Sequence, residues 1–256
     1  MPHISISELK YWNQCPFYHK LVYLDKIKGF EGNAFTAFGT AVHDTCEQMV
    51  LKEGRNFDRD KYFAEQFDKQ LGELKEEPDQ TLVEDMKVQV AKILPEVLPA
   101  LNQYFGKYKV ISTEEKIYEP IEEFAAEEYK FKGFIDLVLQ TEDGKYHVID
   151  WKTCSWGWDS RRKSEPMTTY QLTLYKYYFA QKHNIPPSDV ETHFALLKRT
   201  GKQNIVEIFR VTSGKQKTQN AKELLKKALY NIEKSNYIKN KLACRRCEFY
   251  KTIHCP

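Results

Sequence analysis

The sequence has no long apolar run. No stretch approaches the roughly 20 residues that a membrane-spanning helix needs, and no N-terminal apolar run resembles a secretion signal. The expectation is a soluble intracellular protein with no membrane partner. No G-x₄-G-K-[ST] phosphate loop occurs, so no helicase motor of that type is encoded here. Internal repeats and low-complexity linkers are absent, which excludes solenoids and arrays. An excess of one charge sign is also lacking. The 39 Lys and Arg nearly balance the 36 Asp and Glu, for a net of +3, so the whole-chain balance announces no polyanionic partner.

What is present fits one large domain, or a core with an appended helical lobe. The 256 residues are 41% hydrophobic, enough to bury a sizeable core. The charge is unevenly placed. Ser213 to Arg246 holds ten Lys or Arg against two Glu, a net of +8, so the remainder carries −5. Such a segment is either a phosphate-facing surface or a solvated helix face. The six cysteines, in a reducing compartment, call for metal binding, catalysis or burial rather than disulfides.

Periodicity predicts helices first. Ser5 or Ser7 caps a helix carrying Leu9 and Trp12 up to Cys15-Pro16, and a short second helix carries Phe17, Leu21 and Leu24. Phe35–Leu51 reads as a helix with Phe38, Val42, Cys46 and Met49 on one side, and His43 and Glu47 on another. Residues 53–90 are charge-rich and helical with a break at Pro78, and Val83–Phe105 is a helix interrupted or bent at Pro95 and Pro99. Strands follow at 110–121, 129–140 and 146–153, the last two joined by an Asp143-Gly144 turn. Residues 156–166 read as a loop, 168–181 as a helix, 191–198 and 205–211 as strands, and 221–232 as an amphipathic helix. The result is a mixed α/β layer with a partly antiparallel sheet. Four segments are expected: 1–34, an N-terminal segment pairing with the C-terminal cysteine region; 35–105, a helical lobe; 106–212, the catalytic core; and 213–256, a basic helix with the cysteines.

The chemistry concentrates in GFIDLVLQTEDGKYHVIDWKTC, residues 133–154. Asp136 lies on one strand. Asp150 lies on the next, two residues before Lys152 and therefore on the same face as that lysine. Two acids beside a lysine can hold a hard divalent cation and a water, a set suited to phosphodiester hydrolysis. The ammonium could orient the water or stabilise the pentavalent oxygens. Trp151 points the other way, into the core. D-x-K alone is a weak signal, but Gly133-x-x-Asp136 precedes it, Gln171-x₃-Tyr175 follows on a helix, and His43 stands upstream in FGTAVHDTCE. Glu114 and Glu115 are either a further acid or solvated surface.

In that order and spacing the chain resembles the RecB-like branch of the PD-(D/E)XK nuclease superfamily. The resemblance implies a restriction-endonuclease-like α/β core, a mixed central sheet flanked by helices, with an inserted helical lobe. It implies Mg²⁺ or Mn²⁺ held by His43, Asp136 and Asp150, Lys152 as the catalytic lysine, and Gln171 and Tyr175 contacting the DNA backbone or bracing the site. The expected activity is a metal-dependent DNase, a single-strand-preferring exonuclease of repair, recombination or phage DNA processing. A CRISPR-adaptation trimming nuclease and a catalytically idle DNA-binding scaffold are the alternatives. DNA with free ends is the expected partner, with a separate helicase or recombination protein supplying any unwinding. The location is cytoplasmic, with a phage-encoded or organellar origin left open. Arg161, Arg162 and Lys163 are candidates for holding DNA, and Trp156 and Trp158 either stack on bases or pack.

Cys244-x₂-Cys247-x₇-Cys255 closes the chain, and Cys15-Pro16 lies over two hundred residues upstream. Four thiols with a C-x₂-C pair suit a [4Fe–4S] cluster or structural zinc. In RecB-like nucleases of the AddB, exonuclease V and CRISPR-associated types, one N-terminal and three C-terminal cysteines hold a [4Fe–4S] cluster. The resemblance therefore implies Cys15, Cys244, Cys247 and Cys255 as its ligands. The interval before Cys255 is longer than that family's usual spacing, so His254 as a ligand, and zinc as the metal, stand as alternatives. Cys46 is expected in the core, and Cys154 beneath the catalytic strand.

Overall fold

The computed structural model describes residues 2–53, 55–121 and 129–256. In chain order it contains β1 (His3–Ser5), α1 (Ile6–Gln14), α2 (Pro16–His19), a π-helical turn (Lys20–Leu24), α3 (Ala34–Leu51), α4 (Arg59–Gly72), α5 (Gln80–Phe105) and β2 (Tyr108–Pro120). There follow β3 (Lys130–Thr141), β4 (Tyr146–Cys154), α6 (Ser160–Ser164), α7 (Pro166–His183), β5 (Val190–Lys198), β6 (Val206–Arg210), α8 (Lys215–Glu233) and a 3₁₀ turn (Lys241–Arg246). The segments group into two compact units, Gly32–Lys116 with Phe134–Ser213, and Met1–Glu31 with Ile117–Gly133 and Gly214–Pro256.

The first unit holds most of a mixed sheet. β3 and β4 run antiparallel, β4 and β5 parallel, and β5 and β6 antiparallel. The β3–β4 turn uses Gly144 at φ +80°, a left-handed position that glycine tolerates at least cost. Side chains on β4 alternate between faces. Ile149 and Trp151 join Leu137, Leu139, Ala195 and Leu197 in one core with the lobe α3–α5. On the opposite face, α7 packs against β4 and β5.

The lobe helices start where their caps dictate. Asn33 and Thr36 form a reciprocal capping box on α3, and Asp58 and Asp79 cap α4 and α5. Phe38, Phe63 and Phe67 meet with ring centroids 5.3 to 5.9 Å apart, fixing α3 against α4. α5 is one continuous helix through Pro95 and Pro99, not two segments. Each proline forfeits its own backbone hydrogen bond. Burial of Ile93, Leu94, Val97 and Leu101 offsets that loss.

In the second unit, β1 pairs in parallel with the start of β3, Ile4 opposite Phe131. This strand was not expected, because three residues give no periodic signal. Ser5, not Ser7, caps α1 by accepting from Glu8 N–H at 3.1 Å. Asp159 caps α6 inside the segment read as a loop. Among the described residues no helix is long and apolar enough to cross a membrane.

The Phe38–Phe63–Phe67 contact gives a direct check. Phe67 is wholly buried, so Phe67→Ala is expected to cost about 3–5 kcal/mol of stability. A urea titration would read this as a lower midpoint at unchanged slope.

Candidate active site

The β3–β4 ladder ends at the pair Leu137–Ile149. Beyond it, Trp151 N–H donates to Asp136 Oδ2 at 2.8 Å, a side-chain acceptor taking over from the ladder. Asp136 is thereby fixed beside β4, where Asp150 and Lys152 share one face. Lys152 Nζ lies 2.6 Å from Asp150 Oδ2. Gln171, one turn into α7, donates its Nε2 to Asp150 Oδ1 at 2.6 Å. His43 on α3 brings Nδ1 to 3.6 Å from Asp136 Oδ2. The four side chains expected to converge do so, with Gln171 behind them.

Electrostatics set the protonation pattern. Burial first, and then the Asp150 carboxylate, hold the Asp136 pKa well above the usual carboxylate range; Lys152 and the Trp151 N–H oppose this, and Glu114 adds to it. Burial alone would lower the Lys152 pKa, but attraction from Asp150 and Asp136 raises it overall, so the amine stays protonated. Enclosure by protein, then the Lys152 ammonium, push the His43 pKa down to about 3. Its imidazole is therefore neutral at physiological pH, with a lone pair to offer. Two carboxyls and one ammonium leave an excess of potential negative charge.

These residues fit a hard divalent cation. Asp150 is 1% exposed, and its Oδ2 makes no well-directed hydrogen bond although the Lys152 ammonium lies against it. A buried carboxylate whose Oδ2 faces one ammonium, beside a carboxyl that burial forces toward protonation, would be relieved by a cation. Asp136, Asp150 and the neutral His43 are the groups able to hold one.

Gln171 and Tyr175 are both buried. Tyr175 engages the Gln171 side chain and the Phe134 backbone, and burial, followed by Asp150 and Asp136, raises its pKa. Their positions brace the acids. Glu115 is taken up by Lys182 and by His183, the latter at 2.9 Å. Glu114 differs. It sits at φ +46°, and burial together with Glu47, Asp44 and Asp150 raises its pKa. Glu47 accepts from Thr113 Oγ1 at 2.8 Å. Of the two acids the sequence offered here, Glu114 joins this second acidic group and Glu115 does not; Glu47 stands on the His43 face as expected, and Asp44 alone was not anticipated.

Past Lys152, β4 runs into a cleft lined by Phe35, Thr153, Trp156, Arg162 and Arg199. Trp156 is 78% exposed, whereas Trp158 is buried against Phe194 and is a packing residue. Arg162 lies over the Trp158 ring and Arg199 over Phe35. The Lys163 ammonium is tied to Glu207.

In the other unit, Cys15, Cys244, Cys247 and Cys255 line one small apolar pocket with Phe17, Tyr18 and Phe249. All four are free thiols, as are the buried Cys46 and Cys154. Asn240 N–H points at Cys15 Sγ at 3.4 Å, and the Phe249 and Tyr250 N–H groups at Cys247. His254 is not among the lining residues.

The sequence matches the family model of the PD-(D/E)XK nuclease superfamily over residues 3–252. The chain belongs to that superfamily, whose members are hydrolytic nucleases that generally use divalent metals. No curated protein matches it. Among solved structures it is similar to a protein described as a "Putative exonuclease" from Eubacterium rectale. Identity is 15% and the TM-score 0.61, over 96% of this chain and 86% of that one, a likeness of fold. A second structure, SSO0001, aligns at 15% identity over 91% of each chain with a TM-score of 0.40, too low to support any argument.

Asp136→Asn is expected to stabilise the cation-free protein at neutral pH. The raised pKa means that the wild-type contribution is full below the unfolded carboxylate range and is lost as pH rises through the folded value. Thermal unfolding in chelator should therefore show the variant ahead at pH 8 and the gap closing toward pH 4.

Proposed function

We propose that this protein is a RecB-like, Mg²⁺- or Mn²⁺-dependent deoxyribonuclease acting as a single-strand-preferring exonuclease in DNA repair, recombination or phage DNA processing. The observation that carries the reading is the convergence of His43, Asp136, Asp150 and Lys152, two shielded carboxyls sharing one ammonium.

Asp136, Asp150 and His43 would hold the cation, which when bound would supply charge neutralisation on the phosphate and activation of water. Lys152, protonated and set between the two acids, places a positive charge where the attacked phosphoryl gathers negative charge. Gln171 holds the Asp150 carboxylate in one rotamer through Oδ1, while Oδ2 faces the Lys152 ammonium and would share it with the cation. Tyr175 fixes Gln171 in turn. The cleft beyond Lys152 supports the strand preference. An exposed Trp156 flanked by Arg162 and Arg199 offers a stacking ring and guanidinium groups, the equipment of single-strand binding. The exonuclease reading also draws on the description of the similar Eubacterium rectale structure.

A [4Fe–4S] cluster held by Cys15, Cys244, Cys247 and Cys255 belongs to the same reading. Burial raises the Cys247 pKa, the neighbouring Phe249 and Tyr250 N–H groups oppose it, and Asn240 N–H does the same service for Cys15; bound iron would supply the positive charge that thiolates here need. One zinc at about 2.3 Å from each sulfur needs the sulfurs within roughly 4 Å of one another. The four cysteines line the same pocket, so the choice between the cluster and zinc falls to the metal analysis below. The cluster's role would be structural, fastening segments more than two hundred residues apart.

Two measurements test this. Lys152→Ala and Asp150→Ala should each lower Mg²⁺-dependent degradation of end-labelled single-stranded DNA by at least about 100-fold. Equal inactivity of wild type and variants would favour the idle scaffold. Anaerobically purified protein should be brown with about four irons per chain, and Cys247→Ser should lose both iron and thermal stability. Colourless protein with one zinc would remove the cluster and leave the nuclease reading intact.

A further inference from the structure

β4 and β5 carry a second group of metal-capable side chains. His147 on β4 stands in register with Glu191 on β5, and His193 lies two residues further along. By strand alternation all three share the face opposite Asp150 and Lys152. His147 Nδ1 is 3.1 Å from His193 Nε2 and 3.9 Å from Glu191 Oε2, and His193 Nε2 is 4.0 Å from that oxygen. One donor atom from each residue therefore falls within a 4.8 Å set.

The surroundings fix how these atoms point. The Thr141 hydroxyl donates its one hydrogen bond toward Asp143 Oδ1 at 2.5 Å and the Lys145 carbonyl at 3.4 Å. It must then accept from His147 Nε2, 2.9 Å away. The His147 proton sits on Nε2, and the lone pair on Nδ1 faces His193 and Glu191. Arg210 Nη2 holds Glu191 Oε1 at 2.9 Å, leaving Oε2 turned toward the imidazoles. Each of these two ligands thus has an outer partner of the kind that orients metal-binding side chains. Phe105 packs on both imidazoles, with centroids 4.8 and 5.0 Å away. The two rings are almost fully enclosed, yet they border a groove also lined by Lys107 and Glu142.

We propose that His147, Glu191 and His193 form a binding site for a transition-metal cation of the zinc class. Two imidazoles and one carboxylate are a borderline-soft set that suits zinc over magnesium. Donors around a tetrahedral zinc at about 2.0–2.1 Å lie roughly 3.3 Å apart, and the observed 3.1, 3.9 and 4.0 Å need only side-chain adjustment. Without the ion, His193 Nε2–H donates to His147 Nδ1. With it, the His193 proton resides on Nδ1, a buried atom with no hydrogen-bond partner, and both facing nitrogens direct lone pairs at the cation. All three side chains border the groove, the side from which water or a further ligand would reach the ion. This site is independent of the cation expected at Asp136 and Asp150, and its test does not read nuclease activity.

The experiment compares full-length wild type with His147→Gln and Glu191→Gln, each loaded with Zn²⁺ and dialysed against metal-free buffer. Glu191 is partly exposed, so its variant keeps the test alive if the more buried position fails to fold; circular dichroism checks both. Wild type should retain one zinc more per chain than either variant. Titrated with Co²⁺, its difference spectrum against the cobalt-free protein should gain d–d bands without new sulfur charge transfer, with affinity weakened at least about 100-fold in the variants, since loss of an outer partner alone costs 10–100-fold. Asp150→Asn and Cys247→Ser should keep those bands. Equal zinc retention and equal Co²⁺ affinity in wild type and both variants would overturn the proposal and leave the pair as two imidazoles sharing a proton.

Discussion

One constraint organises the molecule: side chains on β4 must alternate between its two faces. Asp150 and Lys152 fall on one face, while His147, Ile149 and Trp151 fall on the other. Trp151 is almost fully buried and anchors the strand in the lobe core. Because that ring cannot turn to the other face without opening a large cavity, the acid and the lysine cannot leave the site. A one-residue slip of register would place a tryptophan in the site and a carboxylate in the core. The tertiary contacts of β4 therefore support the chemistry on the same strand.

The site itself is electrostatically unfavourable in isolation. Asp136 and Asp150 are both shielded from water, and one ammonium stands between them. Such an arrangement stores repulsion that a bound cation would relieve. The surrounding structure tolerates it because each acid is held from behind, Asp136 by the Trp151 N–H and Asp150 by Gln171. The same logic explains why the ladder stops at Leu137: a carboxylate that accepts a strand N–H has displaced the partner strand at that point. Glu114, at a left-handed backbone position on β2, adds its charge to the same region.

Much of this was legible in the sequence, for identifiable reasons. The Asp143-Gly144 turn, the apolar approach to Asp150 and the helical spacing of Phe38, Val42, Cys46 and Met49 are local signals, and each element formed near its expected place. Other features were not legible. β1 is three residues long and exists because Ile4 finds Phe131. α5 passes through two prolines because burial outweighs local preference. Trp156 and Trp158 look alike in the sequence, and only packing against Phe194 separates the buried ring from the exposed one.

By itself the sequence determined which chemistry was available: two acids, a lysine and a histidine on predictable elements, and four cysteines near the two ends of the stretch. It did so because strand and helix periodicities fix which neighbours share a face. The tertiary structure decided which groups meet across distance. It set Glu114 among Asp44, Glu47 and Asp150, and it set His147 against Glu191 and His193. Those pairings depend on strand register and helix docking, which the burial of many side chains fixes together and no local pattern encodes.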